Sequence, residues 1–199
     1  MIARIPPATR REMGLLNAAI TSVLGVVAGT ERPNLFTTLA RHRRMFRPWL
    51  RFAATLMPAG TLPSADTELV ILRVAHRCGC DYEWHHHTGL AREAGLTGPQ
   101  IEAVRGGVDD PVWTPRQRLL LTAADELHAT RTISDETWRE LTAELAQHQL
   151  VELPVLVGHY EMLAMTIHAL RIQPDRPRPD TAPVRLVRAV RSRLRGRAA

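Results

Sequence analysis

The chain has 199 residues, enough for one domain with a real core and a tail. All 26 basic residues are arginine. The absence of lysine excludes Schiff-base chemistry, pyridoxal-phosphate catalysis and a P-loop. The net charge of +6 lies entirely beyond Pro174, where eight arginines face two aspartates; the remainder is neutral, which argues against nucleic-acid binding by the folded part.

In chain order, Met13 to Gly29 is apolar and follows Arg10 and Arg11, as a signal peptide would. Glu12, Asn17, Thr21 and Ser22 interrupt it, and Leu16, Ile20, Val23 and Val27 recur at helical spacing. The stretch reads as an amphipathic packing helix within an N-terminal helical segment, residues 1–33. Asn34 is placed to cap a helix running through Leu39 and Phe46, which Pro48 kinks or divides. Pro63-Ser64 opens a helix carrying Glu68 and the apolar run Leu69 to Val74, with Gly79 bending or ending it. The next helix stops at Gly95. Thr97 with Gln100, and Thr114-Pro115 with Gln117, are capping boxes; Ser134 caps a further helix. A last long helix runs from about Gln149 to Ile172, with Pro154 and Gly158 as kink points. No segment alternates with period two, so the expected fold is all-α, with about eight helices and short loops and a main helical domain over residues 34–173. Residues 174–199 read as a Pro/Arg-rich, disordered tail, with contact to an anionic membrane or nucleic acid as the alternative.

The chemistry concentrates in Cys78-Gly79-Cys80-Asp81-Tyr82-Glu83-Trp84-His85-His86-His87. On a helix, Cys80, Glu83 and His87 fall within about 60° of one another. His76 joins that face if the helix is continuous. Glu83 and His87, one turn apart, suit proton transfer. Consecutive His85, His86 and His87 diverge by about 100° each and cannot converge on one ion, so no metal site is expected. Arg73 is the nearest candidate to hold a substrate carboxylate. His148, Glu152 and His159 form a second stripe, with Tyr160 beside it, and His159 and Tyr160 are placed to close the pocket. The candidate substrate-binding residues are thus Arg73, His76, Tyr82, His159 and Tyr160. Arg41, Arg43, Arg44, Arg47 and Arg51 read as a solvated helix face. Two cysteines one residue apart make no disulfide framework and point to a reducing, cytoplasmic setting.

The pattern Thr67-Glu68-Leu-Val-Ile-Leu-Arg-Val-Ala, then Cys80, Tyr82-Glu83, His87, Ala91 and Ala94-Gly95-Leu96-Thr97, resembles the carboxymuconolactone decarboxylase and alkylhydroperoxidase D-like family. The resemblance extends from about Asn34 to Tyr160. It implies an all-α fold and homo-oligomers, trimers or hexamers. The family's redox branch spaces Glu, eleven residues, Cys, two residues, Cys, three residues, His. Glu68, Cys80 and His87 match, whereas position 83 holds glutamate where the attacking cysteine belongs. That departure favours cofactor-free acid-base chemistry on a small organic acid or lactone, with Glu68, Cys80, Glu83 and His87 as the catalytic set. An alkylhydroperoxidase-like antioxidant with peroxiredoxin activity through Cys80 is the alternative. A non-catalytic, oligomeric small-molecule-binding protein is the second.

Overall fold

The structure, a computed structural model, describes residues 2–178; the greater part of the expected tail, residues 179–199, lies outside the described residues. Among the described residues, ten α-helices follow one another in the order α1 (Arg10–Met13), α2 (Leu15–Ala28), α3 (Asn34–Leu39), α4 (Arg43–Leu56), α5 (Ser64–Arg77), α6 (Asp81–Glu93), α7 (Gly98–Ala103), α8 (Pro115–Thr130), α9 (Asp135–Glu144) and α10 (Gln147–Leu170). The fold is all-α, with no named strand among the described residues. The described residues fall into two compact units, 2–51 with 169–178, and Phe52–His168.

In the first unit, α1 opens with a reciprocal capping box between Thr9 and Glu12. The packing face of α2 is the reverse of the expected one. Asn17, Ala18, Thr21 and Gly25 are buried, while Leu16, Val23 and Val27 are exposed. Close backbone approach decides this: a Cβ on Gly25 would lie 2.2 Å from the Glu31 carbonyl oxygen, so only the small-residue face can turn inward. Asn34 is the first residue of α3 rather than its cap, and its amide reaches the Gln173 and Pro174 carbonyls. The segment expected to be a loose linker is therefore docked as far as Arg178, where Pro177 bridges Thr30 and Arg178 N–H donates to Gly29. Helices α3 and α4 separate at Ala40–His42, and Pro48 sits inside a continuing helix.

The second unit is organised around α5, in which every residue from Asp66 to Ala75 is buried. A helix buried on all sides belongs at the centre of a bundle. Leu69 and Leu72 pack with Ala91, Leu96, Ile101, Val104, Trp113 and Leu121 from the segments that follow. Burying one such leucine contributes about 1.5–3 kcal/mol. Arg73 is one of three buried charged residues in this helix, with Asp66 and Glu68, and its guanidinium is well partnered. Its guanidinium makes a bidentate pair with Asp125, at 2.7 and 2.6 Å, and donates to the carbonyls of Val104 and Gly106. The capping boxes at Thr97 and Thr114 and the Ser134 cap form as expected. Glu152 accepts from the backbone N–H groups of Thr61 and Leu62, fastening α10 to the loop before α5. Helix α10 runs through Pro154 and Gly158 without a break. It alone among the described residues is long and apolar enough to cross a membrane, yet half of that window is buried inside the protein.

Candidate active site

The turn between α5 and α6 sets the site. Helix α5 ends in paired bonds, Gly79 N–H to His76 O at 3.0 Å and Cys80 N–H to Ala75 O at 2.8 Å, with Gly79 at φ +60°. This closure requires a left-handed residue, which glycine supplies without strain. Cys80 is at once the last residue of that closure and the N-cap of α6. A glutamate three residues into a helix commonly bonds back to the N-cap N–H. Here that N–H is already committed to Ala75, so Glu83 turns inward.

Glu83 is 3% exposed, and no N–H or O–H group donates to either carboxyl oxygen. Burial pushes its pKa up from 4.5 to about 8, with the nearby Cys80 thiol acting weakly in the opposite direction. The Glu83 carboxyl is therefore protonated near neutral pH. One turn further, His87 is buried and its Nδ1 lies 2.8 Å from Glu68 Oε2 on α5. With Nδ1–H donating to that carboxylate, Nε2 is left to accept a proton. Tyr160 on α10 stands edge-on to the His87 ring, with centroids 5.0 Å apart and planes at 88°. Its hydroxyl faces Met57 Sδ at 3.9 Å. Burial, and then the charges of Glu68 and Glu83, push the Tyr160 phenol well above its ordinary value. His159 packs edge-on against Phe52 and Tyr160, and burial lowers its pKa to about 4.

The two cysteines part company at Gly79. Cys80 is buried beside Glu83, and its thiol is pushed up to about 12, first by burial and then by the Glu83 charge. Cys78 caps α5 on the far side of the turn, with its sulfur 3.9 Å from His128 Nδ1.

The structure thus gathers Glu68, Glu83, His87 and Tyr160, with Cys80 at the head of α6 and His159 adjoining Tyr160. Other expected site residues lie elsewhere. His76 does not extend the Cys80–His87 face, because the helix breaks at Gly79; it packs against Trp84, and burial and three arginines lower its pKa. Arg73 spends its guanidinium on Asp125 and two carbonyls rather than facing a ligand. Tyr82 is half-buried against His86, at 4.7 Å between rings. Of the second stripe, His148 is exposed and Glu152 is a structural anchor. Sequence reasoning missed Asp125, His128 and Glu161. They lie on α8 and α10, remote in the chain, and no local spacing marks them.

The all-α fold places the buried Glu68–His87 pair on α5 and α6, with Glu83 one turn before His87. Residues 43–126 match the model of the carboxymuconolactone decarboxylase family, and the fold is that of alkylhydroperoxidase D-like proteins. Similar folds include the alkylhydroperoxidase AhpD core of an uncharacterised peroxidase-related protein from Ralstonia eutropha. It is 18% identical, covers 87% of this chain and 93% of its own, and has a TM-score of 0.76. A putative antioxidant defence protein AhpD from Agrobacterium tumefaciens is 21% identical over 66% of this chain and 91% of its own, with a TM-score of 0.62. A variant of the debrominase Bmp8, in complex with 2,3,4-tribromopyrrole, is 14% identical over 96% of this chain and 98% of its own, with a TM-score of 0.74. No curated protein matches the chain.

Proposed function

We propose that the protein is a cofactor-free acid-base enzyme acting on a small organic acid or lactone. One observation carries the proposal: a buried Glu68–His87 pair at 2.8 Å, with the Glu83 carboxyl, to which no N–H or O–H group donates, one turn away and protonated near neutral pH. An imidazole nitrogen placed to accept and a carboxyl that burial keeps protonated supply a base and an acid in one site. A substrate C–H proton passes to His87 Nε2, or a substrate carboxylate leaves as carbon dioxide. In either case the electron pair of the broken bond enters a conjugated carbonyl to give an enolate, and the Glu83 carboxyl returns one proton to it. Glu68 holds the imidazole in its tautomer and offsets the charge of the imidazolium. Cys80 stands beside Glu83 at the head of α6, and Tyr160 packs edge-on against His87 with His159 next to it. A debrominase of the same fold crystallised with a small bromopyrrole supports a substrate of that size class. A homo-oligomer and a cytoplasmic setting belong to the same proposal, supported by the family resemblance and by two unpaired cysteines.

Peroxide reduction is the second reading. Cys80 is the residue for it, but a thiol held at about 12 is not a thiolate at neutral pH, and the Cys78 sulfur faces His128. Turnover of a panel of carboxylated lactones and β-keto acids tests the proposal. His87→Ala and Glu83→Gln abolish it, and Cys80→Ser keeps most of it. Loss in Cys80→Ser alone, with a sulfenic adduct at Cys80 after peroxide treatment, would replace it with the peroxidase reading.

A further inference from the structure

Three side chains outside the proposed active site converge on one point. Cys78 Sγ from the end of α5, His128 Nδ1 from the last turn of α8 and a carboxylate oxygen of Glu161 from the middle of α10 all lie within 4.8 Å of one another. His128 Nδ1 is 2.7 Å from Glu161 Oε1 and 3.9 Å from Cys78 Sγ. Both neighbours approach the same ring nitrogen. A nucleophile–base–carboxylate relay would use the two ring nitrogens separately, one for each partner. Three donors around a common centre is instead the arrangement of ligands about a cation.

The surroundings fit that use. The second oxygen of Glu161, Oε2, pairs with Arg131, so Oε1 is the oxygen turned toward the centre. Arg131 stands at the C-cap of α8 with φ 65°, three residues from His128, so the end of that helix brings in both a ligand and the group that orients a second ligand. His168 Nε2–H donates to the Cys78 carbonyl at 3.1 Å and fixes the cysteine from behind. Second partners of this kind hold ligands in register. All three donor residues are half-buried, sheltered yet reachable by an ion from solvent.

We propose that Cys78, His128 and Glu161 form a mononuclear site for a borderline divalent cation of the zinc class, bound by one sulfur, one nitrogen and one oxygen. Thiolate, imidazole and carboxylate together match zinc, whereas calcium and magnesium take oxygen alone. Loading balances as follows. The Cys78 thiol releases one proton to solvent and forms the metal–sulfur bond. The imidazole proton moves from Nδ1 to Nε2 as Nδ1 takes up the metal. Thiolate and carboxylate charges then neutralise the dication, and water fills the fourth position. The ion clips the end of α5 to α8 and α10, immediately before the turn that delivers Glu83, and takes no part in the proton transfers proposed above. The expectation of no metal site was argued from the run His85–His87; these ligands come from three separate segments.

Cobalt(II) tests the proposal on the full chain, purified without a histidine tag and kept reduced. The chain has only two cysteines, so a thiolate-to-cobalt absorption band can be assigned by mutation. The expected result is one equivalent of cobalt bound with that band, about one proton released per ion, and displacement by zinc. Cys78→Ser abolishes the band, while Cys80→Ser and the His85→Ala/His86→Ala double variant keep it. Arg131→Gln weakens binding by about 10–100-fold, and Glu161→Gln by at least as much. Circular dichroism confirms that each variant is folded. If Cys78→Ser does not fold, the Glu161→Gln and Arg131→Gln affinities decide. No band at one equivalent, a band that survives Cys78→Ser, or unchanged affinity in both Glu161→Gln and Arg131→Gln would overturn the proposal.

Discussion

Replacing Glu83 with glutamine should make the protein more stable in a strongly pH-dependent way. In the folded chain Glu83 keeps its proton up to about pH 8, whereas a carboxyl at its ordinary value gives it up near 4.5. Between those values the folded state holds a proton that the unfolded state has lost. Stability therefore falls as pH rises through that window, by up to about 1.4 kcal/mol per unit, and is constant below it. Across the whole interval the loss is about 5 kcal/mol, an upper figure because water entering the site would reduce it. Glutamine keeps the shape of the protonated carboxyl and carries no charge at any pH. Urea unfolding of wild type and E83Q at about pH 5 and about pH 8.5, followed by circular dichroism, measures the difference. Near pH 5 the two should lie within about 1 kcal/mol; near pH 8.5 the variant should lead by about 3–5 kcal/mol. A difference that stays constant within about 0.5 kcal/mol would mean that Glu83 ionises normally, and would remove the acid from the proposed mechanism.

Other perturbations follow from the same geometry. His159 runs in the opposite direction: burial lowers its pKa from 6.5 to about 4, so the unfolded chain takes up a proton that the folded chain refuses. That costs stability as pH falls through this window, of order 3 kcal/mol, and thermal melts of H159Q should lose this acid dependence. Arg73→Lys cannot reproduce the bidentate pair with Asp125 together with the bonds to Val104 and Gly106, and should cost about 3–5 kcal/mol in chemical denaturation. Gly60→Ala places a Cβ 2.4 Å from the Leu56 carbonyl oxygen and 2.5 Å from Glu152 Oε1. A melt should show a loss of about 1–3 kcal/mol, since backbone and an anchored carboxylate must both give way.

Much of the fold was legible because its signals are local. A capping box needs only four residues, and those at Thr97 and Thr114 sit where their side chains predict. The apolar run in α5 reads directly as a central helix. Legibility failed where backbone contact outweighed hydrophobicity. Leu16, Val23 and Val27 point outward because Gly25 packs against the Glu31 carbonyl, a contact invisible to periodicity. Pro48 and Pro154 mark possible breaks, but each is carried inside a helix, and neither is where the chain turns. The Pro-rich segment after Ile172 reads as solvent-borne by composition, yet Asp175 accepts from Asn34 N–H at 2.7 Å and docks it.

The site divides along the same line. Cys80, Glu83 and His87 were legible together because they follow one helical period, and Glu68 through a family spacing. The decisive property of Glu83 was not. A glutamate three residues after an N-cap ordinarily spends its charge on the cap, and composition offers no reason to expect otherwise. The reason lies in the preceding helix: Gly79 in the left-handed region lets Cys80 N–H close α5 onto Ala75. That single bond removes the partner Glu83 would have used, and burial then raises its pKa to about 8. The same turn sends Cys78 toward α8 and α10 while Cys80 stays with Glu83. Gly79 therefore separates two chemistries that the sequence places one residue apart. A longer or shorter link between the cysteines would restore the capping bond or misplace the thiol, and the carboxyl at position 83 would lose the isolation on which its proton depends.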